Sequence, residues 1–427
     1  MSTIGSNSED LILNADGGSS TIKLKINGTE KASVSSAGAF TSTTIDATKL
    51  TGNLPAISAA SLTNVPKDIT VGGRKNIIIN GDMQVAQRGT SSTASGFGSV
   101  DRWRSVNNVG VTHTQEAITS GDPFDAGFRH SCKLTNTAIV DNAAAHYVSF
   151  YQYIEAQDLA KSGWNYKSAS SYITISFWVK SSLAGTYNVN PMTEDGTKKV
   201  YPQTFSLSAN TWTKVEKSFP GHADLTFNND TGRGMALHIS PFYGTDFTDS
   251  GVSTSAWSDY GSATRFPDYA QRWGSAGTGA TFEVTGVQLE LGSTATDFEH
   301  RSYGEELALC QRYYEIVADA SQSSDGTIHY VCGGFSYKSD QVNWNYFFQV
   351  VKRAAFTLEA TTGTDYYKAI LHGENIVDTA VGMTADYQGF NCVNGYISGS
   401  YSGSTNGKAW QFTLNNASAK IAVSAEL

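Results

Sequence analysis

The chain has 427 residues, enough for two to four folded units. Charged residues make up 16% and aromatics 11%, with Gly at 41, Met at 5 and Pro at 8, a turn-rich β profile that disfavours helical bundles, coiled coils and disorder over most of the length. Lys and Arg number 30 against 39 Asp and Glu, and the net charge of −9 repels a phosphate backbone, which argues against nucleic acid as a partner.

Residues 1–72 are built from Ser, Thr, Ala, Gly and Asn with isolated Ile and Leu, a composition that cannot enclose a core alone. The first ten residues lack the basic start and apolar run of a signal peptide, and no window is apolar enough for a membrane helix. Ile22, Leu24 and Ile26 alternate with Lys23 and Lys25 up to Asn27-Gly28, a hairpin turn signal, and the return strand runs through Lys31 to Val34. Leu50-Thr51-Gly52-Asn53-Leu54-Pro55 is echoed by Leu62-Thr63-Asn64-Val65-Pro66, and such repeats bury their apolar side against something repeated in space, here another copy of the chain. A flexible leader is the alternative.

From about residue 73 to 302 the pattern is an antiparallel sandwich of jelly-roll type. The strands expected are Lys75 to Ile79, Gly110 to Glu116, His130 to Thr135, Tyr147 to Ile154, Tyr172 to Lys180, Gly185 to Val189, Val200 to Leu207, Thr213 to Phe219, Met235 to Ser240 and Thr281 to Leu289. Ile173, Ile175, Phe177 and Val179 form one apolar set at the strand period. The stretch from Thr245 to Gly279 carries Trp257, Tyr260, Phe266, Tyr269 and Trp273 with little strand pattern. Two readings are open for it: a glycan-binding platform, or a long loop packed on its own sandwich or a neighbouring subunit.

Ser302 followed by Glu305 is a capping box, and Leu307, Cys310 and Tyr314 fall on one face of a helix from about Tyr303 to Tyr314. One short helix is marginal alone, so residues 303–315 either pack on a domain or bundle around a trimer axis. From Ile316 to the end the chain returns to short strands: Thr327 to Phe335, Gln341 to Val351, Thr357 to Ala360, Asp386 to Gly395, Ala409 to Leu414 and Ile421 to Val423. Gly395 to Gly407 is rich in Tyr, Ser, Gly and Asn, the composition of adaptable binding loops. Cys132, Cys310, Cys332 and Cys392 show no metal or redox spacing and read as reduced thiols. No H-E-x-x-H, P-loop, G-x-S-x-G or EF-hand pattern is present, so neither a metal nor another cofactor is expected.

The run Asn76-Ile77-Ile78-Ile79-Asn80-Gly81-Asp82-Met83-Gln84-Val85-Ala86-Gln87-Arg88-Gly89-Thr90 is followed by Asp101-Arg102-Trp103, then by Gln288-Leu289-Glu290-Leu291-Gly292 and Ala295-Thr296-Asp297-Phe298-Glu299, and ends in Glu305-Glu306-Leu307-Ala308-Leu309-Cys310-Gln311-Arg312-Tyr313-Tyr314. This series resembles a class of bacteriophage tail fibre proteins in which a sandwich lies between the first and third motifs and a variable tip follows C-Q-R-Y-Y. The likeness covers residues 75 to 315; Val351-Lys352-Arg353-Ala354-Ala355 and the closing Ala-Glu-Leu match in layout. It implies a homotrimeric virion component, made in bacterial cytosol and released by lysis. Residues 1–40 would join the tail or an adaptor protein, followed by a thin β shaft to residue 72. The tip, 316–427, would bind a surface glycan or outer-membrane protein.

Within the tip, Tyr366, Tyr367, Tyr387, Tyr396, Tyr401 and Asn406 are the candidate receptor contacts, aromatic faces stacking on sugars while amides and hydroxyls take the hydroxyl groups. Trp257, Tyr260 and Trp273 are the candidates on the sandwich. Asp82, Arg88, Asp101, Arg102, Glu290 and Arg301 are expected to pair structurally where the sandwich begins and closes. Glu283, Glu290, Asp297 and Glu299 offer carboxylates but no spacing that fixes a glycosidase pair. The chain is therefore read as a non-enzymatic adhesin, with a polysaccharide depolymerase tailspike and a structural spacer of the tail as alternatives.

Overall fold

A computed structural model describes residues 21–27, 29–35, 40–42, 75–138, 143–263, 265–268, 273, 276–322, 329–371, 376–380, 382–398 and 407–427. The chain divides into two units, 1–69 and 70–427. In the first, strands Ile22–Ile26, Thr29–Val34 and Phe40–Ser42 form an antiparallel sheet. The turn follows from Asn27, which adopts the left-handed conformation (φ 48°) that Asn tolerates. Leu24 and Ile26 are exposed in this unit. The repeat between Leu50 and Pro66 lies outside the described residues.

The second unit is all-β, with two sandwiches. In the first, an eight-stranded sheet centred on Tyr147–Glu155, Arg233–Ser240 and Gly185–Thr193 faces a six-stranded sheet centred on Tyr172–Ser181 and Thr281–Leu291. The alternation expected at Ile173, Ile175, Phe177 and Val179 places all four in the interior, against Phe150, Leu237 and Ile239 of the facing sheet. Cross-sheet ring pairs complete this core, with Tyr187 and Phe282 centroids 5.4 Å apart and Phe177 and Phe205 5.6 Å apart.

The second sandwich pairs a three-stranded sheet (Tyr314–Asp319, Lys420–Ser424, Thr357–Ala360) with a seven-stranded one that includes Tyr367–Leu371, Ala409–Leu414, His329–Lys338 and Gln341–Phe347. Its own core contains Trp344, Trp410, Phe412 and Tyr367. The sandwich and the tip keep separate cores within one compact unit. Arg353 joins them, donating to the backbone oxygens of Thr231, Ala425 and Glu426 at 2.6–2.8 Å.

Two expectations are corrected. Lys75 to Ile79 is not a strand, because the Asn76 side chain takes the place of a ladder partner: its Oδ1 accepts from the amides of Ile78 and Leu289, both at 3.0 Å. The helix is Tyr303–Gln311, and Tyr314 opens a strand paired with Ser424. Its capping box is formed as expected, with Ser302 Oγ accepting from the Glu305 amide and the Glu305 carboxylate accepting from the Ser302 amide. The helix packs on its own chain: Cys310 is fully buried and Leu307 half-buried in a cluster with Ile79, Val85, Tyr151 and Tyr313.

Candidate functional site

The strand Tyr147–Glu155 is aromatic on both faces. Val148, Phe150 and Ile154 point into the sandwich core, so the period of two sends Tyr147, Ser149, Tyr151 and Tyr153 to the opposite face. Register carries the row across the sheet: Arg104 pairs with Tyr151, Tyr151 with His238 and His238 with Asn190. The stretch after Thr245 then builds a wall. The Tyr260 amide donates to the Lys198 carbonyl at 2.9 Å, and Asn190 Nδ2 donates to the Arg265 carbonyl at 2.9 Å. The result is a groove of about 340 Å³ lined by Tyr147, Tyr151, Tyr153, Tyr243, Phe247, Tyr260, His238 and charged Glu194, Lys198, Arg233 and Arg265.

Inside the groove, Tyr243 O–H donates to Ser149 Oγ at 2.5 Å, and Ser149 lies 3.2 Å from His238 Nδ1. The imidazole stacks on Tyr151 at 4.6 Å between centroids. Burial first, and then the positive Arg265, push its pKa down to about 3, so it is neutral at physiological pH. Burial likewise pushes the Tyr243 hydroxyl up to about 12. Arg104 donates to the Tyr151 hydroxyl at 2.8 Å. The site thus combines apolar ring faces with a few convergent polar groups, the general composition of a small-ligand pocket.

Two other concavities are less suited to a ligand. One of about 550 Å³ lies between Arg88, Phe97, Tyr314, Glu359 and Lys420, but Arg88 is paired with Glu426 at 3.2 Å and Lys420 with Asp319 at 3.7 Å. The other, of about 240 Å³, is lined by Phe128, Trp178, Phe298 and His300.

Of the sandwich candidates, Tyr260 lines the groove. Trp257 and Trp273 are buried, Trp257 donating to the Pro220 carbonyl at 2.7 Å, so their part of the loop packs on its own sandwich and their rings are not offered to a ligand. In the tip, Tyr367 is corrected from a contact to a core residue: its ring is fully buried and stacks on Phe412 at 5.9 Å. Adjacent strand residues face opposite ways, which is why the Tyr366-Tyr367 pair divides and leaves Tyr366 half-exposed. Tyr396 is half-exposed on strand Cys392–Ser398, and Tyr387 lies on the neighbouring strand Thr384–Gly389. Tyr401 and Asn406 lie outside the described residues. The tip also exposes Tyr330, Tyr337, Phe347 and Phe390, which the sequence pattern did not single out.

The motif residues form a buried polar knot. Asn80 donates to the carbonyls of Val85 (2.8 Å) and Asp101 (2.9 Å), accepts from the Val85 amide at 3.0 Å, and its amide donates to Glu306 at 2.5 Å. Arg301 pairs with Glu299 at 3.1 Å and Glu306 at 3.3 Å. Glu155, fully buried, accepts from Arg312 at 2.8 Å and from the Tyr313 hydroxyl at 2.5 Å. Arg102 pairs with Glu426, stacks on Tyr313 at 3.4 Å and donates to the Tyr153 carbonyl at 2.8 Å. Glu290 is occupied by Gln288 and Thr296, and Glu283 by Lys180 at 3.0 Å. These charges hold the fold, as expected, though the carboxylate that meets Arg88 and Arg102 comes from the far end of the tip.

No protein-family model matches the chain, and no curated protein matches it. Solved structures similar to part of it include the enzymatically active domain of tailspike protein 4 of bacteriophage CBA120, at 11% identity and a TM-score of 0.28 over 51% of this chain. The chain spans 21% of that tailspike's length. It is also similar to the xylan-binding domain CBM22-1 of Paenibacillus barcinonensis Xyn10C (12% identity, TM-score 0.24, 48% of this chain and 94% of that one). A third is the N-terminal cellulose-binding domain of Cellulomonas fimi β-1,4-glucanase C (9%, 0.25, 50% and 99%). Scores of this size describe a partial overlap and nothing about ligand or role.

Proposed function

We propose that the chain is a subunit of a bacteriophage tail fibre that attaches the virion to a glycan on the bacterial surface, and that the groove on the sandwich holds that glycan. The observation that carries the glycan reading is the groove itself: rings of Tyr147, Tyr153 and Tyr260 beside His238 and the arginines. Sugar rings present apolar C–H faces that stack on such rings while their hydroxyls take the polar groups. The fibre role rests on the motif series between Asn76 and Tyr314.

In this reading three copies form the fibre, residues 1–40 meet the tail or an adaptor, and the tip supplies a second contact through Tyr366 and Tyr396. One shallow site is weak, and three on a trimer raise avidity by about 10²–10⁴. Cleavage is not proposed. Glu194 is the one carboxylate among the groove's lining residues and is held by Lys198 at 2.6 Å, whereas glycoside hydrolysis uses a facing pair.

The test is binding of the purified protein to host cells and extracted surface polysaccharide, wild type against Tyr260→Ala. Loss of about tenfold in the variant, with competition against phage adsorption, is expected. Failure of the wild type to bind either material would overturn the proposal, and unchanged binding by the variant would remove the groove from it.

A further inference from the structure

We infer that the groove selects an anionic saccharide, one carrying carboxylate or phosphate groups; this rests on the glycan-binding reading above. The chain as a whole has a net charge of −9, so a site with an excess of cations runs against its general field. The groove is lined by Lys198, Arg233 and Arg265 against the single carboxylate of Glu194. Lys198 and Glu194 neutralise each other at 2.6 Å. Neither arginine forms an ion pair among the described residues. Each lies over aromatic rings instead: Arg233 is 4.2 Å from the Tyr153 centroid, and Arg265 is 4.8 Å from Phe247 and 5.5 Å from Tyr260. A guanidinium held on a ring face is pre-oriented, and its fork suits carboxylate and phosphate oxygens.

His238 adds an independent observation. Tyr243 O–H donates to Ser149, whose hydroxyl lies 3.2 Å from His238 Nδ1 and occupies that nitrogen, which leaves Nε2 as the other edge of the imidazole. That Nε2 is buried with no hydrogen-bond partner among the described residues. A buried ring nitrogen left unpaired is costly, and a ligand hydroxyl, able to donate or to accept, satisfies it in either tautomer. The site therefore offers two uncompensated cations and one unpaired imidazole nitrogen, and its one carboxylate is already committed.

The probes are matched pairs of immobilised saccharides: oligogalacturonate against its methyl ester, and phosphomannan against mannan. Wild type, Arg233→Gln and Arg265→Gln are compared at 50 and 500 mM NaCl. Arg233 is exposed and Arg265 half-buried, so neither substitution removes core packing. Expected are at least tenfold preference for an acidic member over its neutral counterpart, its loss in either variant, and its collapse at high salt. Preference confined to one pair identifies carboxylate or phosphate as the charge read. Equal binding to the members of each pair overturns this inference and leaves the glycan reading standing, whereas binding to none of the four, together with none to host polysaccharide, overturns both.

Discussion

Replacing Arg102 by Met tests whether the motif knot ties the tip to the sandwich. The guanidinium is 1% exposed and serves three partners: Glu426, the Tyr153 carbonyl and the Tyr313 ring. Removing one member of a buried pair costs about 3–5 kcal/mol, because the remaining charge stays desolvated. Here Glu426 keeps Arg88 at 3.2 Å, which places the expected loss at the lower end, about 3 kcal/mol. Against a total stability of about 5–15 kcal/mol that is a large fraction. Equilibrium urea unfolding followed by tryptophan fluorescence reads it, with Trp103 in the adjacent core. The double variant Arg102→Met/Glu426→Leu should recover much of the loss, since apolar replacement of both partners removes the stranded charge. A loss below about 1 kcal/mol in the single variant, or simple addition in the double, would refute the reasoning.

Asp82 carries a buried oxygen with no partner among the described residues, and burial followed by Glu306 pushes its pKa from 3.8 up to about 6. Between those values the native state holds a proton that the unfolded chain has lost, so stability falls as pH rises through that window. Asp82→Asn should raise the melting temperature at pH 7.5 and not at pH 4; an equal change at both would contradict the assignment. Lys352 and Glu315 are fully buried and 2.5 Å apart, so Lys352→Met should cost about 3–5 kcal/mol in the same urea assay. A Cβ on Gly81 would lie 2.0 Å from the Val287 carbonyl oxygen, and Gly81→Ala should lose about 3 kcal/mol or more. Gly304→Ala, on an open helix face, should be neutral or gain about 0.5–1 kcal/mol; parity between the two would remove the close approach as the motif's reason for glycine.

The alternation at Ile173–Val179 and the Ser302–Glu305 cap were readable because each is set by neighbours in sequence. Tyr314 fits the i+7 helical pattern yet forms a strand, because ladder formation with the remote Ser424 overrides that pattern. Most of the groove is illegible in one sequence for a related reason. Tyr147, Tyr151 and Tyr153 share a strand with inward Phe150, and one sequence does not say which aromatic face is core. The signal was the run Tyr147-Val148-Ser149-Phe150-Tyr151-Gln152-Tyr153 itself, too aromatic for one covered face. His238 carried no local pattern; only register brings it beside Tyr151.

The span between Arg102 and Glu426 also sets a schedule. They are separated by 324 positions, and at roughly 5–20 residues per second the first waits on the order of 16–65 s for the second to be synthesised. The last sandwich strand ends at Leu291, and from then until Glu426 is made the completed strands hold two arginines whose shared carboxylate is still to come.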